Sequence, residues 1–355
     1  MSLGPLMLDV AGTVLTASDR EVLAHPLVGS VILFTRNYVD PQQLQALVGD
    51  IQSLRSPPLL IAVDHEGGRV QRFRAGFSAL PPLHRIGHAF DADATQGLAM
   101  ARALGWLMAA ELAACGVDFS FAPCVDLDYG LSEIIGDRAF HAQPEAVAQL
   151  AIAYIHGMRA AGMAATAKHF PGHGAVVADS HVALPVDRRE LVDMEQDLLP
   201  YRRLIANGLP AVMVAHVLYP AVDSVPASFS RRWINGVLRT ELAFGGLVFA
   251  DDLTMAGAAA VGDLVQRARH ALAAGCDVLP VCNDRPGVER LLGRLRVQIE
   301  PASQLRLVRM RGRRQYRFET LGASAAWQSA REWLTRSASP PELTLNSEGA
   351  DAGGI

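Results

Sequence analysis

The chain has almost no lysine. Lys168 stands alone against 31 arginines among 355 residues. Cysteine is nearly as scarce. Cys115, Cys124, Cys276 and Cys282 are far apart or sit in apolar runs, and no C-x-x-C occurs. This excludes a disulfide framework and the short-spaced thiol motifs of redox or zinc proteins, leaving buried, reduced thiols. No strong charge of one sign is present either. The formal net charge is −4, which implies no general affinity for polyanions. The N-terminus lacks a basic segment, and Asp9 interrupts its apolar run, so it makes a poor signal peptide. No apolar stretch of membrane-spanning length is free of charge. A soluble, cytoplasmic protein is expected. There is also no internal repeat of solenoid period, and no G-x-G-x-x-G follows the first strand-like run, so a dinucleotide fold has no support.

What is present is a rhythm. Half of the chain is hydrophobic, ample for a large core. Eight apolar runs of strand length recur, at 5–10, 30–34, 59–64, 117–123, 164–169, 210–216, 247–252 and 277–282. They lack alternation, as strands buried on both faces do. Helix-period stretches lie between them. Those over 94–116, 144–162 and 264–275 each end in glycine shortly before the next run. The pattern predicts an α/β fold, a single (β/α)₈ TIM barrel over 1–336. The Ser/Pro/Gly-rich remainder, 337–355, reads as a disordered tail. The basic run Arg306–Phe318 could suggest nucleic acid, but arginines on a solvated helical face or paired with acids are its commoner meaning.

Polar residues gather where the apolar runs end: Asp9, Thr35–Arg36–Asn37, Asp64, Asp126, Lys168–His169, His216 and Asp251–Asp252. In a (β/α)₈ barrel these ends share one mouth, where active sites form. One such residue could cap a helix; so many together predict a shared polar pocket. VDHEGGRVQRFR (63–74) sets Asp64 before two glycines and Arg69, Arg72 and Arg74. A carboxylate beside a forked guanidinium suits a polyol, accepting from some hydroxyls and donating to neighbouring oxygens. A structural ion pair at the rim is the plain alternative.

The segment AKHFPGHGAVVADSH (167–181) carries the lone lysine and three of the eleven histidines. Lysine is a compact charge and arginine a broad planar fork, so an arginine-biased sequence retains lysine where the fork will not fit. Asp179 and His181, two apart in a glycine-bearing loop, make a dyad in which the carboxylate holds the imidazole's tautomer and stabilises its protonated form. His169-x₃-His173 with Asp179 and His181 also has the composition of a metal cluster, but its first pair lies in a Pro/Gly loop, not on one face of a helix. In FADDLTM (249–255), one carboxylate should face the mouth and the other should cap the following turn. A strand-end carboxylate facing a separate proton donor is the minimal apparatus for glycosidic bond cleavage.

Together KHFPGHGAVVADSH, VDHEGGRVQR, IGDRAF, FADDLTM and LVGSVILFTRNY resemble glycoside hydrolase family 3, and within it the bacterial β-N-acetylglucosaminidases of peptidoglycan recycling. The resemblance runs in order from about Pro5 to about Asn283, and its longest motif is highly specific. It implies a single barrel and a retaining mechanism through a covalent glycosyl-enzyme. It implies Asp251 as nucleophile, His181 as acid/base and Asp179 as its orienting partner. Sugar-binding positions fall on Asp64, Arg72, Arg138, Lys168 and His169. The substrate implied is a muropeptide bearing terminal β-linked N-acetylglucosamine. No cofactor, metal, nucleic acid, membrane or obligate protein partner is called for. The glycine-bearing loop is expected to bring His181 in when substrate binds. One departure is His65, where the family pattern carries glutamine; it is expected to alter the subsite rim slightly. A phosphorylase on the same scaffold and a non-catalytic amino-sugar-binding protein are the competing readings.

Overall fold

The structure, a computed structural model, describes residues 3–178, 180, 183–298 and 300–338. All eight apolar runs form strands: β1 (Leu6–Leu8), β2 (Val28–Leu33), β3 (Leu60–Val63), β4 (Phe119–Ser120), β5 (Thr166–Phe170), β6 (Ala211–Val214), β7 (Leu247–Ala250) and β8 (Leu279–Val281). Every one of their residues is buried, which accounts for the lack of alternation in the sequence.

The strands pair in parallel, in chain order. One arc runs β8-β1-β2-β3-β4 and the other β5-β6-β7. Single parallel bridges join the arcs, Phe119 to Ala164 and Cys124 to Lys168 on one side and Phe249 to Val278 on the other. The ring is therefore the expected (β/α)₈ barrel. A short antiparallel hairpin, His65–Gly67 with Val70–Gln71, follows β3 at the mouth.

Helices return the chain between strands. The predicted helices run Ala94–Ala114, Pro144–Ala160 and Leu264–Ala274. Each is followed by its expected glycine in a left-handed conformation, at Gly116 (φ 88°), Gly162 (φ 87°) and Gly275 (φ 114°). The last also starts on a capping box between Asp263 and Gln266. Ala94–Ala114 is long and apolar enough to cross a membrane by length and composition, but two-thirds of that stretch is buried inside the fold. It meets the helix Pro144–Ala160 at backbone distance. A Cβ on Gly105 would lie 2.3 Å from the Tyr154 carbonyl oxygen, and one on Gly157 would lie 2.0 Å from that of Arg102. Only glycine allows this approach.

The arginine-rich run pairs with acids and carbonyls beneath the barrel. Arg306 binds Asp277 at 2.9 Å, Arg311 donates to the Pro58 carbonyl at 2.6 Å, and the Arg313 amide donates to the Gly162 carbonyl at 2.9 Å. The four cysteines are buried and free. The last helix runs Ala325–Ala338, two residues into the segment read as a tail; the rest of that segment lies outside the described residues.

Candidate active site

At the C-terminal ends of the strands lies a cavity of about 320 Å³, near the lower end of ligand sites. Its floor is aromatic. Phe121 lines it and packs edge-on against Phe119 and Phe249, with ring centroids 5.5 and 5.0 Å away. Alternation in β7 then places the next residue pair. Phe249 faces the barrel interior, so Asp251, two residues on, reaches the mouth; Asp252 also borders the cavity.

The environments of the two carboxylates differ. Asp252 is committed to the backbone. Its oxygens accept from the Thr254 amide and hydroxyl at 3.0 and 2.9 Å and from the Cys282 amide at 3.2 Å. Burial pushes its carboxyl up to about 6. Asp251 lines the pocket, and its Oδ1 accepts from the Asp252 amide at 2.9 Å.

Facing them is a buried cluster of alternating charge. Lys168 Nζ lies 2.7 Å from Asp64 Oδ1 and 2.5 Å from Glu66 Oε1. Arg138 grips Glu66 with both arms of its fork, Nε to Oε2 and Nη2 to Oε1, each at 2.9 Å. Arg72 Nη2 approaches Asp64 Oδ2 at 3.9 Å. Burial works against the charge on Glu66, but Arg138 and Lys168 outweigh it and hold the carboxyl well below its ordinary value. Burial likewise disfavours the Lys168 ammonium, yet Asp64 and Glu66 raise its pKa above the ordinary value. At neutral pH both remain charged.

His169 stands on Asp126. Its Nδ1–H donates to Asp126 Oδ2 at 2.7 Å, and its Nε2 receives Arg138 Nη2 at 3.4 Å, a set of contacts that fixes the tautomer. Asp126 also accepts the amides of His169 and His173, at 3.2 and 2.8 Å. Burial would raise its pKa, but His169 and His173 outweigh it and hold it at about 2. The ligand-type atoms of Cys124, Asp126 and His169 lie within 4.8 Å of one another, but the donors converging on Asp126 already engage its oxygens.

Asp64, Arg72, Arg138, Lys168, His169 and Asp251 thus line one cavity. Asp179 and His181 lie outside the described residues. Ser180 between them lines the pocket, with Oγ 3.2 Å from His173 Nε2 and its carbonyl accepting from the Gly257 amide at 3.0 Å. Three strand-end residues act from beneath. Asn37 donates to the Val10 and Gly12 carbonyls, His216 bridges Ser228 Oγ and the Asp252 carbonyl, and Asp126 carries His169.

Two expectations need correction. His65 is not at the subsite rim. It is 1% exposed and lies between Phe73 and Phe77 under the hairpin, where burial pushes its imidazole down to about 3. Arg69 and Arg74 serve the backbone, donating to the Glu133 and Gly68 carbonyls at 2.6 and 2.8 Å. Glu66 was missed. The available signal was its place two residues beyond Asp64, in the same strand-end motif.

A larger cavity, about 630 Å³, opens at the opposite end of the barrel. Its buried acid Asp277 is saturated by Arg239, Arg306, Ser303 and the Val248 amide.

The N-terminal domain of glycosyl hydrolase family 3 matches residues 7–309. A β-hexosaminidase of Thioalkalivibrio sulfidiphilus is 52% identical over 346 residues, covering 98% of this chain and 100% of that protein. One from Thiobacillus denitrificans is 56% identical over 313 residues, 88% of this chain and 87% of that one. NagZ of Neisseria gonorrhoeae, solved in complex with N-trifluoroacetyl-D-glucosamine, superposes with a TM-score of 0.91 at 42% identity, covering 96% of this chain and 99% of that one. With its barrel, polar pocket and these relatives, the chain belongs to glycoside hydrolase family 3 and is a β-hexosaminidase of the NagZ type.

Proposed function

We propose that the protein is a retaining exo-β-N-acetylglucosaminidase that removes the terminal sugar from N-acetylglucosaminyl-1,6-anhydro-N-acetylmuramyl peptides during cell-wall recycling. The observation that carries this reading is the carboxylate pair after β7: Asp251 and Asp252 both border a one-sugar pocket, both Asp252 oxygens already accept from Thr254 and Cys282, and the family resemblance gives Asp251 as the nucleophile. Asp251 attacks the anomeric carbon as the bond to the aglycone oxygen breaks. His181 protonates that oxygen, and Asp179 orients the imidazole. His181 then takes a proton from water, which displaces Asp251 and releases the sugar with its configuration retained. The roles of Asp179 and His181 rest on the family resemblance of the segment that carries them; Ser180 lines the pocket.

Asp64 accepts from sugar hydroxyls, while Lys168, Arg138 and His169 donate to or bracket the remaining oxygens. The pocket's modest volume favours a single terminal residue over an internal chain segment. The amino sugar and the anhydromuramyl aglycone rest on the resemblance to NagZ.

Turnover of p-nitrophenyl β-N-acetylglucosaminide and of the muropeptide by wild type, Asp251→Ala, Asp252→Ala and His181→Ala tests the reading. Asp251→Ala should lose more than about 10⁴-fold in rate, and Asp252→Ala should retain measurable turnover. His181→Ala should be rescued by azide, giving the β-azide. Activity in Asp251→Ala at the wild-type level, or N-acetylglucosamine 1-phosphate as product in phosphate buffer, would overturn it.

A further inference from the structure

Outside the pocket, the helix Leu83–Ala92 carries His84 and His88, four residues apart on one face. Their Nε2 atoms face each other at 2.7 Å, with the rings nearly perpendicular at 87°. The other nitrogen of His84, Nδ1, lies 3.5 Å from Asp128 Oδ2, close enough to bond after a small adjustment. Asp128 belongs to the loop after β4, and its amide donates to the His141 carbonyl at 3.1 Å, so the carboxylate comes from a separate, anchored element.

We propose that His84 and His88 form a binding site for one divalent first-row transition-metal ion, with Asp128 as the orienting partner of His84. A proton on His84 Nδ1, directed at Asp128, leaves a lone pair on Nε2. This is the carboxylate–histidine arrangement that holds metal-ligating imidazoles. The facing Nε2 of His88, which donates the shared proton in the metal-free pair, supplies the second lone pair once that proton moves to its own Nδ1 and the metal takes its place; the helical four-residue spacing is that of known bis-histidine chelates. Zinc bonds to imidazole nitrogen are about 2.0 to 2.1 Å long, so an ion between the rings needs only a small opening of the pair. Imidazole ligands select zinc, copper and nickel over calcium or magnesium. Water completes the coordination, because His88 is exposed and the His84 side chain is 32% exposed. His141 is not a ligand. Its Nδ1 accepts from the Gln143 amide at 2.8 Å, which leaves the proton on Nε2, directed at Asp91.

The test uses the full chain freed of metal by chelator. Zinc is titrated calorimetrically, and copper(II) is followed by electron paramagnetic resonance. Wild type should show a site with two-nitrogen superhyperfine structure. His84→Ala and His88→Ala should each bind one ion fewer and lose that signature. Asp128→Asn should weaken zinc at this site by about 10- to 100-fold. Metal-free glycosidase turnover verifies that each variant is folded, and His84→Gln/His88→Gln provides a size-matched control. No metal binding by wild type overturns the site, and so does a stoichiometry and spectrum unchanged in the double variant.

Discussion

The Lys168 ammonium sits 2.5 Å from Glu66 Oε1, with only 3% and 2% of the two side chains reaching solvent. That contact explains the chain's one lysine. Asp64 and Glu66 converge on a single point charge, while the adjacent guanidinium of Arg138 already occupies the planar site on Glu66. A second fork has no room there. Lys168→Arg is therefore expected to lose about 1–3 kcal/mol of stability from overpacking, and to raise KM for p-nitrophenyl β-N-acetylglucosaminide. Denaturant unfolding and steady-state kinetics check both. Wild-type KM in this variant would refute the steric explanation.

Glu66 borders the pocket and holds its two buried cations, Lys168 and Arg138. Glu66→Gln keeps the shape and removes the charge. It should cost about 3–5 kcal/mol of folding stability, because buried Arg138 loses its counter-ion and Lys168 is left with Asp64 alone. KM should rise more than kcat falls. A variant with unchanged stability would mean that water or Asp64 compensates.

Asp126 is held at about 2, against an ordinary 3.8, chiefly by His169 once burial is overcome. A depressed carboxyl stabilises the fold above its unfolded pKa, and that stability is lost as pH falls through the folded value. Wild type should therefore exceed Asp126→Asn in unfolding free energy at pH 6. The advantage should shrink as pH falls from about 4 towards 2. A difference independent of pH would show that the charge on Asp126 is not its source.

Asp252 has the opposite sign. Burial raises it to about 6 from 3.8, so the folded state holds the proton longer than the unfolded chain. Its ionisation removes stability as pH rises from about 4 to 6. Asp252→Asn can still accept from the Thr254 and Cys282 amides through Oδ1. Relative to wild type, this variant should gain melting temperature between pH 4.5 and 7.5. A constant difference across that range would argue against the raised pKa.

Gly174 lies in the segment leading to Asp179 and His181. A Cβ there would meet the Leu127 carbonyl oxygen at 1.9 Å. Gly174→Ala must displace that segment from the loop after β4. A catalytic group misplaced by about 1 Å can lose 10²-fold in rate, so kcat should fall by about that much with a smaller change in KM. Unchanged kcat would separate this segment from catalysis.

Much of this was legible in the chain. Continuous apolar runs mark strands buried on both faces, and glycines in left-handed conformations end the helices where the pattern placed them. These signals are local, set by backbone conformation and by burial along a single element. The place of Asp251 directly after β7 follows from the same logic. Other assignments depended on partners far apart in sequence. Glu66 meets Arg138 across 72 residues, and Asp64 meets Lys168 across 104. Nothing local distinguishes Asp64, which lines the pocket and meets Lys168, from Asp126, which carries a histidine from below, or from His216, tied to Ser228. Nor does it tell that His65 packs among phenylalanines while Glu66 turns to the cations. The sequence by itself determined the barrel and the ends of its strands, because those depend on short-range periodicity. Which polar side chains became the pocket, and which became its supports, was decided only when the ring closed and brought charges from distant strands within hydrogen-bonding reach.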